Sequence, residues 1–304
     1  ICIKVPMADG GEGTVEALVE STGGNIVSTL VTHPLGNEKV KAYYGILANE
    51  EKAIIEMASA SGIHLVEREK RNPLITTTYG TGELILDAIN RGVKHIIIGI
   101  GGSATNDGGA GMIQALGGHL LDKEGNELSF GGKALLNLET IDLSGFDKRL
   151  KDVKFEVACD VTNPLIGDNG ASRIFGPQKG ATEDMVTELD KALTKYSEVI
   201  KRDFGIDVAN VEGAGAAGGL GAALLTFLNG ELKRGIELII KHTDLEDKMN
   251  EADFVFTGEG AIDNQTIFGK TPMGVATIAK KNNVKTIAFA GKVGDGVEDL
   301  YDIG

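Results

Sequence analysis

Between Gly99 and Gly111 the chain reads Gly-Ile-Gly-Gly-Ser-Ala-Thr-Asn-Asp-Gly-Gly-Ala-Gly, directly after the apolar run His95-Ile96-Ile97-Ile98. A short apolar run closed by glycine has the pattern of a buried strand, and the amphipathic stretch beyond it has that of a helix. A strand that ends in small residues, a hydroxyl, an amide and a carboxylate before opening a helix presents bare backbone N–H groups to an anion. Phosphate is therefore the first ligand to consider. The strand, turn and helix unit is also the building block of a parallel α/β sheet.

The same rhythm runs through most of the chain. Glu83 to Arg91, Ala110 to Leu116, Thr182 to Arg202, Leu220 to Leu228 and Gly274 to Lys281 carry helical periodicity. Lys154 to Cys159, Asp253 to Thr257 and Lys285 to Ala290 have the pattern of strands. Only Asn25 to Met57 differs, with β-rich stretches broken by His33-Pro34-Leu35-Gly36 and Asn49-Glu50-Glu51, as in successive antiparallel strands. The expected fold is α/β, with the break between patterns in the charged, proline-containing run Glu67 to Pro73.

The chain has 304 residues, 42% of them hydrophobic and 24% charged, a globular composition with room for two domains. A formal charge of −14 leaves no basic stripe to neutralise a nucleic-acid backbone, so any anion must be bound locally. No apolar run approaches the ~20 residues that span a bilayer and no signal segment opens the chain, so it is expected in the cytoplasm. Cys2 and Cys159 are too isolated for a disulfide framework, and His33, His64, His95, His119 and His242 lack ligand spacing, which argues against zinc. Ile1 lies within an apolar run without an initiator methionine, and no capping pattern follows Lys285 to Ala290. Truncation at both ends is the expectation.

Three glycine motifs resemble nucleotide loops without their context. Gly213 to Gly218 spells the dinucleotide fingerprint, but the preceding Ile206 to Val211 is weakly strand-like and Glu237 falls within a helical stretch. An NAD-dependent oxidoreductase stays open as an alternative on this run. Gly269-Lys270-Thr271 ends like a Walker A loop, but Asn264 stands where the first glycine belongs. Gly80 to Gly82 precedes a helix, where a kinase glycine loop would lie in a hairpin.

A stronger signal is repetition of one arrangement, a strand whose C-terminal end delivers a carboxylate into a glycine- or proline-rich loop. It occurs at Asp107, at Asp160, and at Glu259 with Asp263, and Asp9 and Glu12 also follow a strand-like run. Ligands of open parallel sheets collect at those strand ends. Acidic loops there hold Mg²⁺ or supply a general base. Beside amide-rich anion loops they suit phosphoryl transfer, which runs largely on positioning and charge neutralisation. Lys179, in the rigid Phe175-Gly-Pro-Gln-Lys-Gly180 loop, would complete the charge balance.

Together these segments resemble the type I glycerate kinases, bacterial enzymes that phosphorylate D-glycerate with ATP. The matching stretches are Val5 to Thr14, Arg71 to Pro73, Thr77 to Glu83, Gly99 to Gly111, Asp160 to Leu165, Phe175 to Gly180, Gly213 to Gly221, Thr257 to Gly260, Asp263 to Thr266 and Gly269 to Pro272. The resemblance spans the chain in order, although the family's opening Asp-Ser-Phe-Lys segment and its C-terminal portion are absent. It implies a flavodoxin-like parallel-sheet domain over residues 67–290, and a smaller, incomplete mixed-sheet α/β domain over 1–66 with 291–304. It also implies a cleft between the two that binds ATP and Mg²⁺, and 2-phosphoglycerate or 3-phosphoglycerate as product.

On this resemblance the expected catalytic residues are Asp160 and Asp263, either of them the base. Asp9, Gly10, Gly11, Glu12, Arg71 and Asn163 are expected to bind substrate. Arg71 is the choice for the carboxylate because a guanidinium pairs with it bidentately. Gly101, Gly102, Ser103, Thr105, Asn106, Lys179, Gly215, Gly218 and Lys270 are expected on nucleotide phosphates, and Asp107 and Glu259 on the metal. A homodimer and a non-catalytic nucleotide-binding module are further expectations to be tested.

Overall fold

The apolar runs of the sequence become neighbouring strands. A computed structural model describes residues 1–8, 10–48, 51–263, 266 and 270–302. Its strands are β1 (Asn25–Thr32), β2 (Lys39–Ile46), β3 (Lys52–Glu56), β4 (His95–Gly99), β5 (His119–Leu121), β6 (Thr140–Asp142), β7 (Lys154–Ala158), β8 (Glu231–Lys233), β9 (Phe254–Ile262) and β10 (Lys285–Val293). Its helices are α1 (Thr14–Thr22), α2 (Ala58–Ser61), α3 (Tyr79–Asn90), α4 (Ala110–Ala115), α5 (Ala171–Phe175), α6 (Glu183–Phe204), α7 (Ala216–Phe227), α8 (Gly235–His242), α9 (Leu245–Met249) and α10 (Thr271–Lys281). No helix among the described residues is long and apolar enough to cross a membrane.

One sheet runs in the order β1-β2-β3-β4-β7-β8. The pairs β1/β2 and β2/β3 are antiparallel, and β3, β4, β7 and β8 are parallel. The expected boundary between residues 66 and 67 falls inside this sheet. Lys52 to Glu56 pair with His95 to Gly99 along the whole of β3, so the antiparallel strands extend the parallel layer. β9 and β10 form a separate parallel pair, and β5 and β6 an antiparallel pair.

Side-chain alternation places apolar layers on both faces of the sheet. Ile96, Ile98, Phe155 and Val157 pack with Leu84 of α3, Met112 of α4, Leu193 of α6 and Leu224 of α7. Ile54, Ile97 and Ala158 face Val15 and Leu18 of α1 and Leu238 and Ile239 of α8. Each such isoleucine or leucine contributes about 1.5–3 kcal/mol on burial, so sandwiching of the central strands dominates the fold energy.

Glu156 interrupts the second layer and is fully buried. Lys233 and Lys241 donate to its Oε1 at 2.6 and 2.8 Å, and the Nε2 atoms of His95 and His242 lie 2.7 and 3.1 Å from its Oε2. Burial alone would raise this carboxyl, but those donors outweigh it and hold Glu156 far below the usual range, while burial keeps both imidazoles below theirs. His95, Glu156 and His242 are close enough to share a metal ion. Two ammonium groups already balance the one carboxylate, however, and a divalent cation would add uncompensated buried charge. The cluster ties the C-terminal end of α8 to β4, β7 and β8.

Candidate active site

The Gly99 to Gly111 turn divides into two halves with different jobs. Gly101, Gly102 and Ser103 lie at the surface of a cavity at the C-terminal ends of β4 and β7. In the second half Asp107 is buried. Its Oδ2 accepts from Thr78 N and Thr78 Oγ1 at 2.8 Å and from Gly111 N at 3.2 Å, and its Oδ1 accepts from Gly109 N at 3.2 Å. Burial pushes its carboxyl above the ordinary range and the four bonds pull against that. The anion at the N-terminus of α4 is thus the chain's own side chain.

The cavity beside Gly101 measures about 340 Å³ and is bordered by Gly10, Gly11, Asp160, Gln178, Lys179 and Ala217. Asp160 Oδ1 accepts from Gly235 N at 2.9 Å, which joins the loop after β7 to the start of α8. Gly10 sits in that joint at φ 93°, where a Cβ would come within 2.9 Å of both Ala158 Cβ and Gly235 Cα. Lys179 is only 2% exposed and donates to Thr105 O at 2.6 Å. Burial lowers its pKa to about 7, with the Asp107 charge opposing.

A second cavity, about 250 Å³, adjoins the first and shares Gly10, Gly11, Gly101 and Gly102 with it. Glu12, Lys41, Tyr43, Glu56, Ser59 and His64 complete it. Glu56 accepts from Val15 N at 2.9 Å, and burial pushes its carboxyl up. A third cavity, about 420 Å³, lies between Phe155 and Phe227 near the N-terminal end of β7 and holds none of the expected site residues.

A model of the glycerate kinase family matches residues 1–304. The chain belongs to the glycerate kinase family. It is 58% identical over 302 residues to a glycerate 2-kinase of Escherichia coli (strain K12), covering 99% of this chain and 79% of that protein. It is 55% identical over 301 residues to a glycerate kinase of Bacillus subtilis (strain 168), covering 99% and 78%. A crystal structure described as glycerate kinase 2 from Salmonella typhimurium LT2 superposes with a TM-score of 0.90 at 54% identity, covering 96% of this chain and 80% of that one.

In this glycerate kinase family chain the expected site residues separate into groups. Gly10, Gly11, Gly101, Gly102, Ser103, Asp160 and Lys179 meet around the first cavity, and Glu12 borders the second. Asp9 lies outside the described residues. Thr105 and Asn106 are buried beneath the turn, where Asn106 Nδ2 donates to Ser172 Oγ at 2.9 Å. Gly215 and Gly218 shape the opposite wall without lining it. At Gly218, φ 68°, a Cβ would lie 2.0 Å from Thr105 O.

Other expected residues have side chains engaged within the protein or lie away from both cavities. Asp107 has its oxygens engaged by amides and a hydroxyl, which makes it an anchor of the turn, and it borders neither cavity. Arg71 donates to Val66 O at 3.3 Å and Ile63 O at 3.5 Å, so its guanidinium braces the turn that carries His64, and it borders neither cavity of the site. Asn163 Nδ2 donates to Asn169 O at 2.9 Å and closes its own loop. Glu259 is interior to β9, opposite Ala290, because the strand runs straight through Gly258 and Gly260. Glu259, Asp263 and Lys270 border neither cavity of the site. The dinucleotide fingerprint at Gly213 to Gly218 lacks its strand, since residues 205–208 have no regular structure and the run enters α7 through a kink at Ala217 to Gly219.

Sequence reasoning missed Lys41, Tyr43, Ser59 and His64. They come from β2, α2 and the turn after it, and no spacing rule joins them. The available signal was the alternation of β2, which sets Lys41 and Tyr43 on one face.

Proposed function

We propose that this chain transfers the γ-phosphoryl group of ATP to a hydroxyl of D-glycerate, giving 2-phosphoglycerate, or 3-phosphoglycerate if the terminal hydroxyl is the acceptor, and ADP. The observation that carries the reading is the match to the glycerate kinase family along the whole chain, which falls on a site whose central wall is glycine. A wall without side chains lets phosphate and hydroxyl approach to reacting distance, the main demand of phosphoryl transfer.

In the proposed step a bond forms between the acceptor oxygen and the γ-phosphorus while the bond from the bridging β,γ-oxygen to that phosphorus breaks. The acceptor proton passes to a carboxylate. Asp160 is the choice for that base, because it borders the first cavity and the Gly235 amide fixes one of its oxygens. Lys179 and the amides of Gly101 to Ser103 face the phosphates. Mg²⁺ needs only one or two carboxylates plus phosphate oxygens; Glu12, beside the glycines that both cavities share, fits that need and would hold it, while Asp160 serves as base. When bound, the ion neutralises phosphate charge. ATP as donor accords with a cytoplasmic location.

A coupled assay of ADP release tests the reading, with purified chain, ATP, Mg²⁺ and D-glycerate. Turnover dependent on D-glycerate is the expected result, and NMR of the product identifies the hydroxyl used. ATP binding without glycerate-dependent turnover would favour the non-catalytic module and overturn the kinase reading.

A further inference from the structure

The two cavities that share the glycine wall differ in chemistry. Among the described residues the first has one cation at its wall, Lys179, buried and bound to a carbonyl. The second has the Lys41 ammonium and the His64 imidazole, neither of which has a hydrogen-bond or ion-pair partner among the described residues. In a chain of net charge −14 this pairing stands out, because surface cations are outnumbered by carboxylates. Arg71 holds the Ile63 to Val66 turn in place by two carbonyl contacts, so His64 projects from a braced segment.

The second cavity also contains acceptors. Glu12 and Glu56 border it with Ser59, whose Oγ accepts from Tyr43 N at 2.8 Å and keeps its own proton to donate. Lys41 and His64 as donors, with Glu56 and Ser59 as partners for hydroxyl groups, suit a small molecule that carries both a carboxylate and hydroxyls. At about 250 Å³ the space lies below the roughly 300–1,000 Å³ of drug-sized ligand sites, which favours a three-carbon acid over a nucleotide.

We propose that Lys41 and His64 bind the carboxylate of the acceptor in the second cavity and set the specificity for short 2-hydroxy acids over uncharged polyols. The nucleotide phosphates occupy the first cavity, and the phosphoryl group crosses at Gly10, Gly11, Gly101 and Gly102. This assignment rests on the kinase reading for the transfer, but not for the binding of the acid.

The test is calorimetric titration of D-glycerate into the wild-type chain and into Lys41→Met and His64→Gln, beside steady-state kinetics with glycerate and ATP varied separately. Each substitution is expected to weaken glycerate binding and raise its KM about tenfold or more, the loss of one charge-assisted contact. KM for ATP and the thermal midpoint stay at wild-type values, and glycerol does not compete. Unchanged glycerate affinity in both variants, or a change in KM for ATP in place of glycerate, overturns the assignment while the kinase reading stands. Binding that the variants weaken, without turnover by the wild type, overturns the kinase reading and leaves the assignment in place. A wild type that neither binds nor turns over D-glycerate overturns both.

Discussion

Asp107 follows β4 and Asp160 follows β7, the neighbouring strand of the same parallel sheet, and each enters a loop rich in glycine or proline. Their surroundings diverge. Asp107 is buried and accepts four hydrogen bonds from Thr78, Gly109 and Gly111, whereas Asp160 is exposed, borders the first cavity and accepts from Gly235. The contrast shows that a strand-end position brings a carboxylate to the right edge of a sheet but does not decide its use. The decision lies in how many donors the nearby backbone turns toward it. Where a helix opens within a few residues, as α4 does after Asp107, the orphan amides of its first turn capture the carboxylate. Where the chain runs on to Asn163 and Pro164 without a helix, the carboxylate stays at the surface.

The largest effect that sharpens this contrast is on stability. Asp107→Ala removes the acceptor of four buried donors, and leaving them unsatisfied is expected to cost about 3 kcal/mol or more. Urea unfolding followed by circular dichroism measures it. A variant within about 0.5 kcal/mol of wild type would mean that Asp107 is no anchor, and the distinction between the two turns would collapse.

Asp160→Asn is expected to act the other way round. Asparagine keeps an oxygen for the Gly235 amide but cannot take a proton, so kcat falls by about 10² or more if Asp160 is the base. The urea midpoint should stay close to that of wild type. Full activity in this variant would remove Asp160 from proton transfer and pass that role to a carboxylate of the second cavity.

Much of this was legible in the chain because it depends on local pattern. The apolar runs at Ile96 to Ile98 and Phe155 to Val157 specify the central strands, and the glycine turn marks the edge where the cavities lie. The fate of Asp107 was not legible, since two of its four donors belong to Thr78, remote in sequence and brought near by the packing of α3 on α4. Glu259 misled for a related reason. Its flanking glycines suggest a loop, yet β10 pairs through them and holds the segment extended. Lys41 and His64 of the second cavity belong to no motif, because β2 and a separate turn supply them. The run Glu67 to Pro73 does not end the sheet. Charge and proline at Glu67 to Pro73 do interrupt the pattern, but β3 and β4 on either side of that run are hydrogen-bonded partners.

The smallest expected effect concerns the lysine next to the buried carboxylate. Lys179 has its pKa lowered by burial from 10.5 to about 7, with Asp107 opposing the shift. Below about pH 7 both the folded and the unfolded chain carry the proton, and the full cost of burying the ammonium is present. Between about 7 and 10.5 the unfolded chain holds a proton that the folded chain has released, so stability rises with pH across this window. Lys179→Met lacks that titration. Its stability advantage over wild type, from urea midpoints at successive pH values, should be greatest near pH 6 and shrink steadily toward pH 9. A difference that does not vary with pH would mean that Lys179 keeps its charge throughout. The neutral-pH site would then contain a permanent ammonium beside Asp107, and the buried turn would be an ion pair facing the cavity instead of an anchor beneath it.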